Sequence, residues 1–143
     1  MEDALLLTAD FAGVPVAILW SAWTEKERLL HWWPKEADLS LAVGGTFHFR
    51  WPDSGISLRG RYLSVEPASK LAFTFALRNH FDEFPSVVVL DFSATQGGSR
   101  LTIHHSPFLE PADSGVLRQL RPGWLYWIDS LRTYLGEAPS SDK

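Results

Sequence analysis

The sequence predicts an α+β fold: a curved antiparallel β-sheet of about six or seven strands wrapped around one long C-terminal helix, with two short helices after strand 1. Three observations carry that prediction. The apolar period changes from helical to two near Ala37 and returns to helical near Leu117. The alternating segments are joined by short turns, as an antiparallel meander requires. Each alternates between apolar and polar positions, so the sheet has an aromatic face that needs a cover, and only the last helix is long enough to supply it.

The elements follow in order. Leu5 to Phe11 reads as the first strand. Gly13 and Pro15 make a turn, with Pro15 placed for a first helical position. Val16, Leu19, Trp20 and Trp23 then form one helical stripe. Thr24 followed by Glu27 has the form of a capping box, so a second helix is expected from Thr24 to Trp33, stopped by Pro34. Adjacent helical residues point about 100° apart, so Trp32 and Trp33 cannot both face one interior. Trp32 is assigned to the core, and Trp33 to a position overhanging the mouth of a cavity.

Phe47, Phe49 and Trp51 share one face of the next strand, and Asp53-Ser54-Gly55 is a turn. Ser57 to Val65 is a strand closed by Glu66-Pro67. Leu71, Phe73, Phe75 and Leu77 alternate, as do Val88, Leu90, Phe92 and Ala94, and Gln96 to Ser99 turns the chain into Leu101-Thr102-Ile103-His104-His105. Leu117, Leu120, Trp124, Trp127 or Ile128, Leu131 and Leu135 stripe the last helix, with a kink or break expected at Pro122-Gly123. Residues 1–136 are expected to form one domain, and 137–143 a flexible tail.

Composition narrows the function classes. The 143 residues suit one domain, and the absence of cysteine excludes disulfides and thiolate metal sites. A net charge of −4, with Lys and Arg scattered, lacks the basic footprint of a nucleic-acid binder. Met-Glu-Asp is not the start of a signal peptide, and the apolar stretch from Ala12 to Trp23 is too short to span a membrane. A cytoplasmic protein without membrane insertion is the expectation. Seven Trp and nine Phe make the interior heavily aromatic, and such rings line cavities and interfaces as readily as cores.

Four features carry a family resemblance: Trp20-Ser21-Ala22-Trp23-Thr24 followed by Leu30-His31-Trp32-Trp33; Val43-Gly44-Gly45-Thr46-Phe47; Gly60 with Val65-Glu66-Pro67 and Leu71-Ala72-Phe73-Thr74; and Ser99-Arg100-Leu101-Thr102-Ile103 with a late Gly123-Trp124. Together they resemble the START-like (SRPBCC) superfamily, in the branch related to the C-terminal domain of the heat-shock chaperone ATPase activator. The resemblance implies a helix-grip fold with a deep cavity between sheet and C-terminal helix. Superfamily members bind lipids, hormones and polyketides there, and some catalyse cyclisation or dehydration. The chain departs from the family in running Trp33 straight into Pro34, and in placing Pro122-Gly123 inside the closing helix.

The candidate site follows from the inward positions. A small hydrophobic molecule (lipid, polyketide or aromatic metabolite) would be lined by Trp33, Phe49, Trp51, Tyr62, Phe73, Phe75, Phe92, Ile103, Trp124 and Ile128. His105 is the polar anchor, joined by Tyr62 or Tyr126, because alternation puts Leu101, Ile103 and His105 inside and Arg100, Thr102 and His104 outside. The other reading of His105 is a core histidine satisfied by a backbone carbonyl. If the aromatics interdigitate, the pocket is instead a core. A cyclase or dehydratase would use His105 as general base and needs a second polar group, which is not evident. No cofactor is implied. A metal site is not expected, since His104 and His105 face opposite ways and His31, His48 and His80 belong to different elements. Asp91 is read as outward, Asp82 and Glu83 as a loop, and Asp113 as a helix cap; no Gly-x-Ser-x-Gly elbow is present. A chaperone-activating module is weighed last, because such activators carry a further N-terminal domain. Homodimerisation through a sheet edge or an exposed Trp is left open.

Overall fold

The structure, a computed structural model, describes residues 5–78, 83–107 and 114–140. Its elements run β1 (Leu5–Ala12), α1 (Val16–Thr24), α2 (Lys26–Trp32), β2 (Glu36–Leu39), β3 (Thr46–Trp51), β4 (Ile56–Glu66), β5 (Lys70–Arg78), β6 (Glu83–Thr95), β7 (Gly98–Pro107) and α3 (Ser114–Ser140). The strands form one seven-stranded antiparallel sheet in the order β1-β7-β6-β5-β4-β3-β2. This is the helix-grip arrangement. Of the positions named from sequence, His80, Asp82, Asp113 and 141–143 lie outside the described residues.

Strand alternation builds the inner face. Val88 opposes His105, which opposes Leu5, and Leu90 opposes Ile103, which opposes Leu7. Leu5, Leu7, Val88, Leu90, Leu101, Ile103 and His105 are all buried, while His104 and Arg100 are exposed. From α3, Trp124, Ile128, Leu131 and Leu135 are buried at helical spacing. Fully burying side chains of this size contributes about 1.5–3 kcal/mol each, which fixes the helix to the sheet. Gly60 matters on the inner face: a Cβ there would collide with the Phe47 ring and the Thr74 carbonyl oxygen. The phenyl ring lies where any other side chain would stand.

Three local expectations are corrected. The Thr24–Glu27 capping box does not form: Thr24 is the last residue of α1, and its hydroxyl donates back to the Trp20 carbonyl at 3.0 Å. α2 starts instead after Glu25, whose extended backbone makes no side-chain cap. Second, α3 is helical through Pro122–Gly123, so the chain is not broken there, and its described residues extend to Ser140. Burial of Trp124, Ile128 and Leu131 just beyond outweighs the missing amide hydrogen bond.

The third correction concerns the adjacent tryptophans. Trp33 is not helical; it caps α2 at φ −121° and ψ −91°, held out of the helix by Pro34. Its ring therefore turns parallel to that of Trp32, with centroids 5.3 Å and planes 12° apart. Both are buried, so the two adjacent rings share one interior after all. Among the described residues, no helix is long and apolar enough to cross a membrane.

Candidate functional site

Where α2 ends, α3 and the sheet meet in a cluster of tryptophans. The last carbonyls of a helix lack intrahelical partners. Here Ser130 Oγ donates to the Trp32 carbonyl and Trp51 Nε1 to the Trp33 carbonyl, each at 2.8 Å, so α3 and β3 both clamp the end of α2. Trp32 Nε1 donates to the Ala22 carbonyl, also at 2.8 Å. Around Trp33 stand Trp23 and Trp127 at 5.2 Å, Phe49 at 5.4 Å, Trp124 at 6.1 Å and Trp51 at 6.4 Å, mostly edge-to-face. Trp51 and Trp127 stack with planes 11° apart, closing the gap between β3 and α3.

His105 sits deeper, completely buried. Trp124 Nε1 donates to its Nδ1 at 2.9 Å, and its Nε2 lies 2.6 Å from Ser86 Oγ, which donates to the Phe75 carbonyl at 3.0 Å. One proton placement satisfies every group: Trp124 donates to Nδ1, Nε2–H donates to Ser86, and Ser86 donates to the carbonyl. Burial pushes the imidazole pKa down to about 3, so the ring is neutral near pH 7. Both ring nitrogens are thus engaged, and the expectation of a free anchor or general base meets a histidine satisfied through Ser86. Its two hydrogen bonds tie the Trp124 indole of α3 to Ser86 of β6.

The remaining candidates divide. Phe49, Trp51, Phe75 and Trp124 belong to the cluster around Trp33. Tyr62 and Phe73 gather around Phe47 at 5.3 Å each, and burial pushes the Tyr62 phenol pKa up. Phe92 packs edge-on against Trp20 of α1 at 5.2 Å, away from the tryptophan cluster. Ile103 and Ile128 are buried core. Tyr126 is exposed. Trp23, Trp127 and Ser86 were not among the candidates; Ser86 continues the inward series Phe92, Leu90, Val88 by one step, a signal available in the sequence.

Rings interleave through the described part of this interior, and clefts lie at its rim. A cleft of about 170 Å³ between α2 and α3 is lined by Leu30, His31, Trp32, Trp33, Pro34, Lys35, Trp51, Tyr126, Trp127 and Ser130. A second cleft of about 340 Å³ shares His31, Tyr126 and Ser130 with it and continues to Asp129, Thr133 and Tyr134. Tyr134 stacks on His31 at 5.3 Å and accepts from Arg28 Nη1 at 3.3 Å. A wider groove of about 460 Å³ lies along β2, β3 and β4, bordered by Asp38, His48 and Arg59. It touches none of the tryptophans. Among the described residues, no three His, Asp or Glu side chains group as metal ligands.

Residues 13–136 match the family described as Activator of Hsp90 ATPase homolog 1-like protein. Solved structures share the fold. Protein MLL2253 from Mesorhizobium loti is 24% identical with a TM-score of 0.81, over 94% of this chain and 98% of that one. DynU16, from the dynemicin biosynthetic locus, is 21% identical with a TM-score of 0.79, over 94% of this chain and 48% of that longer one. CalU16 from Micromonospora echinospora is 23% identical with a TM-score of 0.72, over 96% of this chain and 78% of that one. No curated protein matches the chain.

Proposed function

The chain belongs to the family of Activator of Hsp90 ATPase homolog 1-like proteins, within the START-like superfamily, and from that premise we propose that it binds a small hydrophobic molecule between the concave face of its sheet and α3. The observation that carries this reading is the cleft between α2 and α3, which reaches Trp33, Trp51 and Trp127 from the surface. Sites for small molecules are concave, and this cleft sets the rings of Trp32, Trp33, Trp51 and Trp127 beside the polar side chains of His31, Lys35 and Ser130. Trp33 and Trp51 line the cleft, and Phe49, Phe75 and Trp124 pack in the aromatic cluster around Trp33. The ligand class is a lipid, a polyketide or an aromatic metabolite, and the origin of DynU16 in a biosynthetic locus fits a small molecule. Trp51 and Trp127 are only half-buried, so they are the rings best able to move as the ligand enters.

Binding is favoured over catalysis because a general base must offer a nitrogen or oxygen to the reacting proton. The buried imidazole offers none while Trp124 and Ser86 hold it. Native mass spectrometry of the purified protein, before and after extraction with organic solvent, tests the proposal. A reproducible extra mass that disappears on extraction is expected, with tryptophan emission changing saturably on titration with oleate or 1-anilinonaphthalene-8-sulfonate. A bare chain mass together with emission unmoved by either probe overturns it.

A further inference from the structure

Among the described residues, two indole N–H groups in the tryptophan cluster are buried without a hydrogen-bond partner: those of Trp23 and Trp33. Their rings lie 5.2 Å apart, and the two residues are only 2% and 6% exposed. Leaving a buried donor unmade is costly, and most such donors in native proteins are paired. Their neighbours show how readily this cluster pairs its donors: Trp32 reaches Ala22, Trp51 reaches Trp33 and Trp124 reaches His105. Trp33 is also the orphan that lines the cleft between α2 and α3.

We propose that the ligand is a planar molecule carrying a carbonyl-type oxygen, and that this oxygen accepts a hydrogen bond from the Trp33 indole N–H. The inference rests on the binding reading above and adds the ligand's polar group. Planarity follows from the walls, where Trp51 and Trp127 stack at 5.8 Å and present flat faces to anything that parts them. The surplus is of donors, so the missing partner is an acceptor; a ligand offering only N–H or O–H donors would leave the indole unpaired.

The test uses a pair of probes of one shape, 2-acetylnaphthalene and 2-isopropenylnaphthalene, in which C=O is replaced by C=CH2. Affinities are measured by tryptophan fluorescence for the intact chain and for Trp33→Phe. The ketone should lose about fivefold to tenfold in affinity on Trp33→Phe, with the alkene changing less than twofold. Taking the difference between probes cancels the ketone's greater desolvation and any shape change in the variant. Indole ¹⁵N–¹H spectra of the unmodified chain give a second readout independent of the variant's folding. The Trp33 resonance should move downfield with the ketone and not with the alkene. Equal losses for both probes, or a Trp33 resonance unmoved by bound ketone because the N–H keeps a neighbouring ring face as its partner, overturn this inference and leave the binding reading standing. If neither naphthalene binds while oleate or 1-anilinonaphthalene-8-sulfonate does, this inference alone falls. If none of the four binds, both fall.

Discussion

Trp124 and Trp33 are neighbours in one aromatic cluster, with centroids 6.1 Å apart, yet their indole N–H groups stand in opposite conditions. The Trp124 donor opens a chain through His105 and Ser86 to the Phe75 carbonyl in which no group is left over. Among the described residues the Trp33 donor has no partner. Both rings are buried, so burial alone does not separate structure from site. What separates them is valence: a closed hydrogen-bond chain rigidifies the fold, while an open donor is a cost that a ligand can remove.

Acid should expose the difference most strongly. The folded pKa of His105 lies near 3, below its ordinary 6.5, so the unfolded chain takes up the proton first. Stability is therefore full above pH 6.5 and falls as the pH drops from there towards 3. At pH 4.5 the loss from this group should be about 2–3 kcal/mol. Urea midpoints measured between pH 7.5 and 4.5 should show it, and His105→Gln should flatten the slope. An unchanged slope in that variant would mean that the imidazole is not the neutral, buried link described.

Next in size is the contrast between the two rings themselves. Trp124→Phe leaves His105 Nδ1 buried and unpaired, whereas Trp33→Phe removes a donor that had no partner. The first should cost about 1–3 kcal/mol more than the second in chemical unfolding, although both truncate a buried indole by the same atoms. Equal costs would place both indoles in the same structural role and erase the distinction.

Much of this was legible in the sequence, and the limits are physical. A period of two put Leu101, Ile103 and His105 inside, because strand alternation is geometric and independent of what covers the face. The partners of His105 were not legible. Ser86 lies one strand away, and Trp124 arrives from α3, so their meeting depends on how the helix docks. The parallel stacking of Trp33 on Trp32 was not legible because helical spacing was applied to a residue that Pro34 had already pulled out of the helix. Thr24 matched the capping pattern, yet its hydroxyl took the nearer carbonyl of α1. Patterns of spacing report faces; they do not report which hydrogen bonds close.

The finest test of that distinction lies in two serines. Ser86 and Ser99 are both completely buried on the sheet, but Ser86 links His105 to a carbonyl while the Ser99 hydroxyl has no partner among the described residues. Ser86→Ala strands the His105 Nε2–H and should cost about 1–3 kcal/mol. The same substitution at Ser99 removes an unmet hydroxyl and leaves nothing stranded, so its effect should fall within about 0.5 kcal/mol of zero or stabilise slightly. One chemical change at equal burial then gives two outcomes, set only by whether the hydroxyl was used. Equal losses in urea unfolding would mean that Ser99 does have a partner, and that burial and contact, not pairing, govern the polar groups of this core.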